Sequence, residues 1–151
     1  MADTGYEQNG TINELTYNAG TDIDGDAISV ADTAELTSDA VSLSKVVTRV
    51  YSVIMVEDNT GACAGDVYIS VLASDLDPDG EAWQVGPSDG GAVNDPCWTM
   101  AVDVDQNETR KITFAVDASQ LPLHKIHVRN SIGQTIDLWI NYIDMDVPVA
   151  S

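Results

Sequence analysis

The chain has 151 residues, 44% of them hydrophobic, and carries 25 acidic against 6 basic side chains, a formal net charge of −19. That length suits one domain with a single core, and the ordinary apolar content excludes a disordered polymer. The six cations, Lys45, Arg49, Arg110, Lys111, Lys125 and Arg129, are scattered, so they form no basic stripe for nucleic acid or for an anionic membrane surface.

Nineteen of the 25 acids are Asp. At low ionic strength such a charge strains a small domain by self-repulsion. At molar salt the screening length shrinks to about 3 Å and the strain is relieved. The balance therefore points to a protein of a halophile, with an acidic Ca²⁺-binding surface protein as the competing reading. The opening MADTGYEQNG has neither a basic n-region nor an apolar h-region, which predicts synthesis in the cytoplasm without a signal peptide. The longest apolar-rich run, Val46–Val56, is too short to span a bilayer.

Residues 1–40 read as a polar N-terminal arm, rich in Thr, Asn, Asp and Gly, with edge strands at most around residues 11–17 and 27–30. Residues 41–151 read as the sandwich domain. Its first strong element is VSLSKVVTRVYSVIMV (41–56), which is apolar on both faces once a β-bulge near Lys45 shifts the parity. Val50, Ile54 and Val56 lie on one face and Val47, Tyr51, Val53 and Met55 on the other. A strand apolar on both sides is central in a covered sheet or buried by another chain. The second face, Val47, Tyr51, Val53 and Met55, is expected to be covered by a neighbouring subunit.

Val67, Ile69, Val71 and Ala73 alternate as the next strand, and DLDPDG (75–80) turns towards a short strand at Trp83–Val85. A glycine-rich loop, 86–95, leads to Trp98, Met100, Val102 and Val104 on one strand face, closed by Asp105-Gln-Asn107. The last third alternates most clearly. Ile112, Phe114 and Val116, then Ile126 and Val128, then Ile136, Leu138, Ile140 and Tyr142 mark three strands separated by turns at Ser119–Pro122 and Asn130–Gly133. About eight strands and no convincing helix predict an all-β fold, a single antiparallel β-sandwich of the jelly-roll type, with an immunoglobulin-like sandwich as second choice.

Few residues carry chemistry. Asp75, Asp77, Asp79 and Glu81 resemble the start of an oxygen-rich Ca²⁺ loop, but the position of the closing bidentate Glu is Gly86 and no helices flank it. Solvated turns are the simpler reading, and no cofactor is expected beyond such a cation. His124 and His127 stand three apart on one strand, hence on opposite faces, and cannot chelate one ion together. Trp139 lies opposite Leu138 and Ile140, beside Asp137 and Asn141, which marks it for an interface or a ligand surface. Cys63 and Cys97 are the two cysteines, read as buried thiols or as one disulfide joining the 59–66 loop to the Trp98 strand. No nucleophile stands with a base and an orienting group, so an enzyme is not expected.

The stretches FAVDAS (114–119), KIHVRN (125–130) and TIDLWINY (135–142) resemble the closing strands of small β-sandwich virion proteins of tailed and icosahedral viruses. Joined to the acidic composition, the likeness is to a structural subunit of a virus infecting halophilic archaea. Such a resemblance implies a capsid vertex, head-decoration, turret or tail accessory protein that assembles with itself and with other virion proteins, is made in the host cytoplasm and resides in the virion. The alternative implied by the tryptophans and acidic turns is a carbohydrate- or cation-dependent adhesion module, with a host-surface glycan as partner.

Overall fold

The computed structural model describes residues 13–15, 27–43, 47–57, 61–73, 98–118 and 120–146. Among these residues ten strands form in chain order: β1 (Asn13–Glu14), β2 (Ile28–Val30), β3 (Glu35–Thr37), β4 (Val41–Ser42), β5 (Val47–Val56), β6 (Asp66–Ala73), β7 (Trp98–Asp103), β8 (Thr109–Asp117), β9 (Leu123–Asn130) and β10 (Ile136–Asp146). They make two antiparallel five-stranded sheets. One runs β1-β10-β5-β8 with β2 also on β10; the other runs β3-β9-β6-β7 with β4 also on β9. Among the described residues there is no helix.

This order is a jelly roll. The early strands β1 and β2 pair with the last strand, β3 and β4 with β9, β5 with β8, and β6 with β7. These are the nested pairs of one long antiparallel ribbon. Rolling it up brings β5 against β10 and β6 against β9, which completes both sheets. The immunoglobulin-like alternative, with its different distribution of strands between sheets, is set aside. The polar lead-in takes part as edge strands over its described residues, with Leu15 and Val30 reaching the core.

Alternation decides what fills the space between the sheets. Val67, Ile69 and Val71 on β6, Ile126 and Val128 on β9, and Ile136, Leu138 and Ile140 on β10 are all buried there. Met100, Ile112 and Phe114 are half-buried against them. Each fully buried aliphatic side chain contributes about 1.5–3 kcal/mol.

Polar groups pin the turns that carry the chain between sheets. Asn130 is fully buried: its Nδ2 donates to the carbonyls of Val30 (2.9 Å) and Gln134 (2.7 Å), and its Oδ1 accepts from the Ile132 amide (3.2 Å). One side chain thus ties β9 to β2 of the other sheet and shapes the Asn130–Gly133 turn that the sequence punctuates. Glu57, also fully buried, accepts at 2.6 Å from the amide of Asn107, which sits at φ 56° in the β7–β8 connection. Asn is one of the few residues that adopts this left-handed conformation readily.

Candidate interaction surface

Strand β5 is central to its sheet, and its two faces have different surroundings. Tyr51, Val53 and Met55 are fully buried in the core between the sheets. The expectation that these three meet a neighbouring subunit is therefore corrected: they are the interior face. Apolar residues at both parities made either face of 41–56 a candidate, and the β8 and β10 partners settle it, because Phe114, Ile112, Leu138, Ile140 and Tyr142 pack on the same side. Val47, at the start of β5, is half-buried.

The outward face carries the even-numbered residues of β5. Cross-strand pairing aligns them in rows. Ala115, Val50 and Ile143 form one row; Thr113, Ser52 and Asn141 the next; Lys111, Ile54 and Trp139 the third. Val50, Ile54, Ile143 and Trp139 are all half-buried in the single chain. Trp139 thus stands where the sequence places it, on the outward face opposite Leu138 and Ile140. Beside these residues lies a shallow depression of about 320 Å³, lined by Val50, Ser52, Ile54, Lys111, Asn141, Tyr142 and Ile143. Chemically this is an apolar band crossed by a hydroxyl and an amide, with one ammonium at its β8 edge.

A polar network closes the interior beneath this sheet. Tyr51 Oη and His124 Nε2 are 2.7 Å apart, and His124 Nδ1 is 3.0 Å from the Leu121 carbonyl. A carbonyl only accepts, so Nδ1 carries the hydrogen and Nε2 accepts from the tyrosine. Burial holds His124 below the usual histidine range and pushes the Tyr51 phenol well above its own. At the end of β5, Arg49 forms a two-point pair with Asp144 (2.7 and 2.9 Å) and lies 3.8 Å over the Tyr142 ring. Such a forked, ring-stacked contact uses the planar guanidinium in a way lysine cannot reproduce.

His127 lies on the opposite side of β9 from His124, as strand geometry requires. It is nearly enclosed, with Nε2 3.7 Å from Glu35, which also takes Arg129 at 3.2 Å. Burial lowers its pKa against the pull of Glu35, and its Nδ1 is buried without a hydrogen-bond partner among the described residues. The two histidines do not meet, and among the described residues no three metal-ligating side chains converge.

Cys63 is a half-buried thiol whose Sγ lies 3.9 Å from the Gly61 carbonyl. Its expected partner Cys97, the acidic turn residues Asp75, Asp77, Asp79 and Glu81, the Trp83 strand and the parity shift at Lys45 lie outside the described residues. The Tyr51–His124 bridge and the Glu57 anchor are features that sequence reasoning missed. Tyr51 on an apolar strand face and a histidine in register with Ile126 and Val128 were the signals available.

No protein-family model matches the chain, and no curated protein does. Solved structures similar in fold include the N-terminal CBM22-1–GH10 modules of xylanase 10B from Clostridium thermocellum, complexed with xylohexaose. That likeness has 14% identity and a TM-score of 0.47 over 97% of this chain, which spans 27% of the xylanase chain. The carbohydrate-binding module CBM6cm-2 of Cellvibrio mixtus lichenase 5A, in complex with cellotriose, is similar at 14% identity and a TM-score of 0.40, covering 95% of this chain and 91% of that one. The coat protein of Tobacco streak virus is similar at 14% identity and a TM-score of 0.34, covering 85% and 92%.

Proposed function

We propose that the chain is a non-enzymatic structural subunit of a virus particle, assembling with copies of itself and packing on other virion proteins at high salt. The observation that carries this reading is the outward face of the β10-β5-β8 sheet. In a chain of net charge −19, the rows through Val50, Ile54, Trp139 and Ile143 form an apolar band with no carboxylate among them. Burying such a band against another chain removes it from water. The acidic remainder of the surface then keeps the assembly soluble and makes it salt-dependent. The subunit would be made in the host cytoplasm and reside in the virion.

The test is the mass and fold of the full chain, by light scattering and circular dichroism, from near zero to multi-molar NaCl. The expected outcome is a folded closed oligomer at high salt that Ile54→Ser combined with Trp139→Ser dissociates. A folded monomer at every salt concentration would overturn the reading.

A second reading is favoured by the depression on this face, where Ser52, Asn141 and Lys111 offer hydrogen bonds beside Tyr142 and Trp139 stands in the row through Ile54 and Lys111. That is the chemistry of a glycan-binding module, with a cation at Asp75, Asp77, Asp79 and Glu81 as its support. It requires that a soluble oligosaccharide bind the monomer, that Trp139→Ala abolish binding, and that Ca²⁺ raise its thermal stability.

A further inference from the structure

Among the described residues strand β8 is an edge. It pairs there with β5 alone, through all nine positions Thr109–Asp117 against Val56–Thr48. Its other side therefore presents a long row of backbone donors and acceptors, the feature that most readily recruits another strand. Thr109, Arg110, Lys111, Thr113, Ala115 and Asp117 are exposed.

We propose that β8 pairs antiparallel with β8 of a second copy, so that the β10-β5-β8 sheets of two chains become one continuous sheet. The inference rests on the self-assembly reading and names its first contact. Two observations select this partner. The first is charge. Lys111 stands near one end of β8 and Asp117 at the other, both on the outward face, and among the described residues Lys111 has no ion-pair partner. Antiparallel pairing centred on Thr113 sets Thr109 opposite Asp117 and Lys111 opposite Ala115. Each Lys111 is then diagonal to the partner's Asp117, at roughly 7–8 Å between backbones, within reach of a long side chain. Parallel pairing would instead bring like charges together.

The second observation is continuity. A register in which odd positions face odd positions keeps the outward faces of both sheets on one side. The apolar rows through Ala115, Val50 and Ile143 then run across the junction, doubling the band that the proposed function requires. Centring on Thr113, the midpoint of the strand, is also the register that pairs all nine residues.

Cross-linking tests the register directly. In a Cys63→Ser, Cys97→Ser background, Thr113→Cys places two thiols opposite one another across the two-fold axis. Their Cα atoms would be about 4.5–5.5 Å apart, inside the range a disulfide spans. Thr109→Cys places its two thiols roughly 27 Å apart, eight residues along the pair. A covalent dimer from the first variant and none from the second, under mild oxidation and with an unchanged circular dichroism spectrum, is the expected result. Dimer from both, or from neither, overturns the proposal; the latter would mean that Lys111 serves to keep this edge from pairing.

Sedimentation of Lys111→Glu, at the lowest salt that keeps the chain folded, should show at least tenfold weaker dimerisation, and Lys111→Glu with Asp117→Lys should recover it. No effect of the single reversal, or no recovery in the double, counts against the pair. If the wild type assembles but Thr113→Cys does not cross-link, the edge proposal fails while the assembly reading stands. If the wild type is a monomer at every salt concentration, both fail.

Discussion

His124 shows how much one side chain in the core can decide. Its Nε2 accepts from Tyr51 and its Nδ1–H donates to Leu121, so the neutral ring satisfies both nitrogens while bridging β9 to β5 of the other sheet. A second proton would place a charge in the core facing an oxygen that already uses its hydrogen. Burial lowers its pKa in the folded chain, as it does for His127. The stability due to these rings is thus fully present above the unfolded value of about 6.5 and is lost as pH falls below it. Denaturant titrations between pH 7 and 5 should show a loss approaching about 1.4 kcal/mol per pH unit for each histidine that stays neutral in the fold. His124→Gln should flatten that slope by the share of one proton; an unchanged slope would show that His124 is not involved. At Asn130, three hydrogen bonds depend on one amide. Asn130→Ala should cost about 2–4 kcal/mol, read from the urea midpoint, because it leaves buried carbonyls unmatched.

At the scale of elements, β5 separates core from surface along one strand. Met55 is fully buried and Ile54, its neighbour, is half-buried on the outward side. Met55→Ala should destabilise the fold by about 2–5 kcal/mol through lost transfer energy and a cavity. Ile54→Ser should cost under about 1 kcal/mol of monomer stability and act instead on assembly. Thermal melts beside light scattering separate the two effects, and the reverse pattern would return the interface to Tyr51, Val53 and Met55. The alternation of β8, β9 and β10 was fully legible in the sequence, because each strand has one clearly polar face. On β5 it was not: a strand with apolar residues at both parities gives periodicity nothing to choose between. Trp139 was legible for the opposite reason, since Leu138 and Ile140 claim the interior and leave it the other side.

At the scale of the whole molecule, the charge of −19 acts on every conformation that brings the acids together. The Debye length falls from about 10 Å at 0.1 M salt to about 3 Å at 1 M, so repulsion across the surface fades over that range. Unfolding midpoints should rise steeply with NaCl and level off above about 1 M, and the rise should persist in Ile54→Ser, where assembly is lost. A midpoint that falls or stays flat from 0.1 to 1 M would count against the halophilic reading. The Arg49–Asp144 pair, partly shielded and braced by Tyr142, should respond to salt far less than exposed pairs such as Arg110–Glu108.

Composition and period-two patterning by themselves determined an all-β sandwich, its strand boundaries in the last third, the separation of the two histidines and the outward position of Trp139. These follow from local chemistry: a side chain's face is set by its neighbours in sequence, and acidity by counting. Only the tertiary structure decided the jelly-roll order, the inward face of β5 and the polar links from Tyr51 to His124 and from Asn130 to Val30. Each of those depends on which distant strand lies alongside, since β5 meets β10 more than 80 residues later in the chain. Pairing over such separations is selected by the burial of whole faces together, a property of the assembled core that no window of sequence contains.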